Sequence, residues 1–98
     1  MLSNQQWCEK EAAKYAACDT VSRKLLCEYY TRMAKVEEPR QGVGSGEMNT
    51  LRGELRAEMT RKAKDLATNK SIREVADNFV ATCFVFADGS FIRSDVFA

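Results

Sequence analysis

The sequence predicts an α+β fold: an antiparallel helical hairpin, a short third helix and a C-terminal two-stranded antiparallel β-hairpin. Three observations carry this prediction. Apolar residues recur at helical spacing through two long segments. A single Pro/Gly-rich stretch, P-R-Q-G-V-G-S-G at 39–46, separates those segments. Near the C-terminus the period changes, and Asp88-Gly89 lies between two runs rich in strand-forming residues. With 98 residues, a single domain over 1–98 is expected, with no room for a second core.

The first helix is expected over 4–38. Ser3 followed by Gln6 has the spacing of a capping box, so Asn4 can open the helix. Cys8, Tyr15, Cys18, Ser22, Leu25, Tyr29, Met33 and Val36 then form a stripe at helical period, with no proline or glycine inside it. Pro39 disfavours α geometry at the residue before it, which ends the helix by Glu38. The second helix is expected over 47–68, where Met48, Leu51, Leu55, Met59, Ala63 and Leu66 step by three or four. Gly53 weakens it, or lets the first helix approach closely. Ser71 and Glu74 form a second capping-box pair, which predicts a short helix over 72–79 with Ile72, Val75, Ala76 and Phe79 inward.

The β-hairpin is expected over 80–97. A two-residue turn at Asp88-Gly89 would place Ala87 opposite Ser90, Val85 opposite Ile92, Cys83 opposite Ser94 and Ala81 opposite Val96. That face is small and aliphatic, suited to lying on helices. The other would carry Phe84, Phe86, Phe91 and Phe97, with Thr82, Arg93 and Asp95 between them. A lone ribbon is marginal in water, and its first strand is apolar on both faces, so it needs covering. No third strand is expected. Either the first helix wraps over the phenylalanine face, or a second copy of the chain supplies the neighbour. The expectation is a homodimer through the C-terminal hairpin.

Composition narrows the function classes. Lysine plus arginine (15) nearly balances aspartate plus glutamate (14), and neither half of the chain is a basic lobe, which argues against a protein that coats nucleic acid. There is no histidine, so the commonest general base is missing. The cysteines, Cys8, Cys18, Cys27 and Cys83, form no C-x-x-C pair, so no metal site is expected. Three of them would be strung along one helix and unable to reach one another, which points to thiols in a reducing compartment. Residues 1–15 have no apolar core of a signal peptide, and the longest apolar run is far short of the ~20 residues that span a membrane. A cytoplasmic setting is expected.

Motifs that suggest chemistry have plainer readings. G-V-G-S-G lacks the preceding strand and the following Gly-Lys-Ser/Thr of a phosphate loop, and reads as a linker. Asp88 and Ser90 are explained by turn chemistry. No catalytic residue and no cofactor is predicted. A basic face of the second helix, Arg52, Arg56, Arg61, Lys62 and Lys64, is the candidate nucleic-acid surface of a transcriptional regulator, although Glu54 and Glu58 interleave. Ser71–Phe79 resembles the first helix of a helix-turn-helix unit, but strand formers follow where a recognition helix should stand. The favoured reading is a small non-enzymatic adaptor, regulator or inhibitor that binds another protein. Compact cofactor-free chains of this kind include phage and plasmid accessory factors acting on a larger host protein. Its interface candidates are Tyr30, Phe84, Phe86, Phe91, Arg93 and Phe97, because aromatic residues and arginine concentrate at interface hot spots.

Overall fold

The computed structural model describes residues 1–17, 19–39 and 41–98. Three helices, α1 (Asn4–Ala16), α2 (Val21–Val36) and α3 (Ser45–Leu66), precede three strands, β1 (Ala67–Ala76), β2 (Phe79–Phe86) and β3 (Phe91–Arg93). The strands form one antiparallel sheet in the order β1-β2-β3. The fold is α+β, with the helical hairpin and the C-terminal β-hairpin present and a third strand beside them.

The helix expected over 4–38 is two helices. α1 opens as anticipated, with the Ser3 hydroxyl accepting from the Gln6 amide and the Gln6 side chain accepting from the Ser3 amide. It stops at Ala16, and α2 restarts at Val21 behind Thr20, whose side chain accepts from the Arg23 amide. No glycine or proline marks this break. The cause is tertiary. The Asp88 carboxylate accepts from the Val21 amide (2.8 Å) and the Ser90 hydroxyl from the Ser22 amide (3.1 Å), so the β2–β3 turn completes the capping of a new helix start. Cys18, the stripe position inside the break, lies outside the described residues.

α1 folds back along α2. Trp7 meets Tyr30, and Cys27 reaches the Ala12 carbonyl (3.5 Å), so the two helices run antiparallel. Cys8 and Cys27 therefore sit on different helices rather than along one, and both are free thiols, as is Cys83. α3 runs antiparallel to α2. Arg52 bonds Glu37, Arg32 bonds Glu58 and Lys62 bonds Glu28, in descending order along the pair. The α3 stripe buries Leu55, Met59 and Ala63, while Leu66 is left largely exposed. Gly53 makes no close approach to α1: nothing lies within 4 Å of where its Cβ would be.

Residues 72–79 do not form the expected helix. β1 follows α3 with no intervening loop and pairs with β2, Ser71 opposite Cys83 and Arg73 opposite Ala81. Tertiary pairing overrides the local capping-box signal here. The apolar strand β2 has backbone groups on both edges to satisfy, and β3 covers only part of one edge. The chain reverses at Asp77-Asn78, where Asn78 takes a left-handed φ of 58°, a conformation asparagine tolerates.

The β2–β3 register is one residue away from that expected: Cys83 faces Arg93, Phe84 faces Ile92 and Val85 faces Phe91. The loop has three residues, not two. The Gly89 amide bonds the Phe86 carbonyl, the Phe86 amide bonds the Ser90 carbonyl, and Gly89 takes a φ of 85°. This is a tight turn followed by a left-handed bulge residue. A one-residue slip exchanges the faces of β3 relative to β2. Phe84, Phe86 and Ile92 now share the face against the helices, joined by Phe97 on Tyr29 (4.8 Å between rings). β3 ends at Arg93, and turns over 94–97 replace the rest of the expected strand, bringing Phe97 inward.

Candidate functional site

β2 is buried over half its length. Residues 83–86 are all inside, whereas none of residues 72–82 is buried. The β1–β2 hairpin is therefore an arm whose base belongs to the core and whose outer half stands in solvent. The overall dimensions agree. The Cα radius of gyration is 14.6 Å with extents of 43 × 25 × 24 Å, against about 12.6 Å for a compact chain of this length.

The register divides the arm into two faces. Lys70, Ile72 and Glu74 of β1 lie opposite Phe84, Thr82 and Val80 of β2, so they continue the face that packs on the helices. Beyond the helices this face keeps two large apolar groups in water, Ile72 at 73% exposure and Val80 at 61%. On the other face Cys83 and Val85 are buried away from the helices. Above them, Arg73 lies over the Phe91 ring (5.7 Å) and Arg93 over the Phe79 ring (5.2 Å). Two hydrogen bonds of 2.9–3.0 Å hold the Arg93 guanidinium on Asp95. Burial pushes the Cys83 thiol up in pKa, against the pull of Arg73 and Arg93, so it is a poor nucleophile. Sequence reasoning placed Cys83 against helices; it lies instead under this arginine–phenylalanine layer.

The hydrogen-bond phase of β1 follows from one contact. The Ser94 amide donates to the Thr82 carbonyl (2.9 Å), so Thr82 directs its backbone groups toward β3. Its partner Ile72 must then direct its own N–H and C=O away from β2, as must Lys70 and Glu74. β1 is an edge strand, and these are the groups along its open edge.

A second feature lies where α1, α2 and α3 meet, a cleft of about 410 Å³ lined in part by Trp7, Tyr29, Tyr30, Met33 and Arg52. Tyr30 is its centre, edge-on to Trp7 (5.5 Å) and Tyr29 (5.1 Å) and stacked with Tyr15 (6.1 Å). Burial pushes the Tyr30 hydroxyl up to about 12, helped by Glu11. Below it the Arg52 guanidinium grips Glu37 through two bonds of 2.5 and 2.7 Å and holds that carboxylate below its ordinary range despite burial. The cleft is a packed junction of three helices, held by aromatic contacts and an ion pair.

The sequence-predicted interface residues scatter in this geometry. Phe84, Phe86 and Phe97 are core groups, Tyr30 is half-buried in the aromatic cluster, and Phe91 and Arg93 remain at the surface on the outer face of the sheet. Of the basic residues on α3, Arg52 and Lys62 are committed to Glu37 and Glu28, while Arg56, Arg61 and Lys64 are exposed. Ile72 and Glu74 were missed because the capping-box pair hid a strand, and Lys70 stands where the helical pattern breaks; Val80 is expected in the β-hairpin but not as part of an exposed arm. The available signal was Asp77-Asn78, two turn formers set between Val75-Ala76 and Phe79-Val80. No helix among the described residues is long and apolar enough to cross a membrane. No protein-family model matches the chain, and no match was found among curated proteins or solved structures.

Proposed function

We propose that this chain is a small non-enzymatic protein-binding module, an adaptor, regulator or inhibitor, that engages its partner through the β1–β2 arm. One observation carries the reading: the outer half of the arm holds Ile72, Val80 and Phe79 at 73%, 61% and 46% exposure in a segment that buries nothing of its own. An isolated two-stranded ribbon gains little stability in water, so an exposed apolar arm makes sense as a surface awaiting another chain. The absence of histidine from the sequence and the burial-raised thiols of Cys8 and Cys83 support a role without chemistry. The free thiols of Cys8, Cys27 and Cys83, among the described residues, agree with a reducing, cytoplasmic setting.

A photo-crosslinking residue at position 80, compared with one at position 47 on α3, tests this in the native cell. The reading expects a discrete protein adduct from position 80 alone; equal adducts from both positions, or none, would sink it. Nucleic-acid binding through α3 has weaker support, because Arg52 and Lys62 are engaged by carboxylates. It would regain ground if the chain retarded nucleic acid at low salt and Arg56→Glu/Arg61→Glu abolished the shift.

A further inference from the structure

We propose that the open edge of β1 pairs with the same edge of a second copy of this chain, antiparallel about a two-fold axis through Ile72, making a continuous six-stranded sheet. The inference rests on reading the arm as a contact surface and names its occupant. When two identical strands pair antiparallel about a two-fold axis normal to the sheet, one residue faces itself across the axis. The regular part of β1 runs between its two irregularities, over residues 69–74. Among its charged-segment positions, centring on Lys70, Arg73 or Glu74 sets like charges face to face, which is destabilising. Centring on Asn69 or Ser71 sets Lys70 opposite Thr68 or Ile72, with no charge partner.

Centring on Ile72 brings each Lys70 opposite Glu74 of the other copy, twice by symmetry, and stacks the two exposed isoleucines. The backbone phase fits this register. Lys70, Ile72 and Glu74 are the residues whose N–H and C=O groups point outward, so Ile72 would exchange both hydrogen bonds with its symmetry mate and each Lys70 with Glu74. All three side chains also lie on one face of the sheet. The register sets Ala67 of one copy level with the turn of the other. The two helical bodies then stand at opposite ends of the shared sheet. Each comes alongside the apolar outer half of the other arm. The unpaired stretch of β2 at the arm tip is shorter and carries no charge, so it offers no comparable selection of register.

The test is a charge-swap series on the full chain, followed by sedimentation equilibrium over micromolar concentrations. Lys70→Glu and Glu74→Lys each set like charges across the axis and are expected to weaken the dimer about tenfold or more, while the double swap returns it to within about threefold of the parent. Ile72→Lys should give a monomer with an unchanged far-UV spectrum, since this side chain touches little in one copy. Hydrogen exchange reads the register directly. The amides of Lys70, Ile72 and Glu74 should gain protection as concentration rises. Those of Ser71 and Arg73, already directed at β2, should be protected throughout. A parent chain that is monomeric at high micromolar concentration overturns the pairing, as does a dimer unaffected by the single swaps. If that monomer still crosslinks a different protein from position 80, the arm reading survives and only the second copy is wrong; if it crosslinks nothing, both fall.

Discussion

At the scale of single residues, two carboxylates hold separate parts of the chain together. Asp88 sits in the β2–β3 turn, bonds Ser90 within it and accepts from the first amide of α2. These bonds, the Ser90 hydroxyl first, hold its carboxyl below the ordinary 3.8. A carboxyl whose folded pKa is depressed contributes stability above its unfolded value, and that contribution is lost as pH falls through the folded value. Asp88→Ala is therefore expected to lower the melting temperature at neutral pH, with the gap to the parent closing in acid below pH ~4. A thermal melt series from neutral pH to acid checks it; a gap independent of pH would mean that the carboxylate is not the capping group. Glu37 works similarly at the junction of the helices. Arg52 bonds it bidentately, Asn4 adds a hydrogen bond, and both pull its pKa below the ordinary 4.5. Glu37→Ala is expected to cost about 1–2 kcal/mol at pH 7 by denaturant titration. The loss should shrink as the pH is lowered through the folded pKa of Glu37.

At the scale of elements, helix starts and hairpin turns were partly legible. The Ser3–Gln6 box opens α1 as its spacing requires, and the α3 stripe buries Leu55, Met59 and Ala63. The equivalent Ser71–Glu74 box opens nothing, because a capping box is worth little beside the pairing of a ten-residue strand. The α1–α2 break was illegible for the opposite reason. Half of its capping comes from residues 88 and 90, more than sixty positions downstream. Two glycines separate local from tertiary effects. Gly53 lies in the exposed interior of α3 with open space where a Cβ would go, so Gly53→Ala should stabilise by about 0.5–1 kcal/mol. Gly89 has equal space but a φ of 85°, so Gly89→Ala should destabilise by about 1–2 kcal/mol. Paired urea melts measure both, and the same sign for the two changes would contradict the turn geometry.

For the whole molecule, the weight of the fold lies at one end. Phe84, Phe86, Ile92 and Phe97 join the helical stripes in a single core, and the arm extends from it. Phe86 is 2% exposed, and Phe86→Ala is expected to cost about 3–5 kcal/mol. That is a large share of the 5–15 kcal/mol typical of a domain. Circular dichroism should show a strongly lowered or lost thermal transition. Ile72→Ala, by contrast, should leave the stability of a single copy within about 0.5 kcal/mol, because an exposed side chain has little packing to lose. The same pair of variants separates a core role from a contact role: only the second should alter association while sparing the fold.

The sequence by itself determined the α+β class, the helical stripes, the linker after Pro39 and the reversal at Asp88-Gly89. Each is a local matter of period, cap or turn, decided within a few residues. Tertiary structure decided the rest. It set the break between α1 and α2, because the cap comes from a distant turn. It made residues 67–76 a strand, because the apolar β2 had an unsatisfied edge. It separated the phenylalanines, because a three-residue loop slips the register by one, which sets Ile92 beside the inward Phe84 and Phe86 and leaves Phe91 on the outer face. With the base of the Phe84/Phe86 face covered by helices, the exposed apolar surface lies further out on the same face, at Ile72 and Val80, and with it the place where another chain would bind.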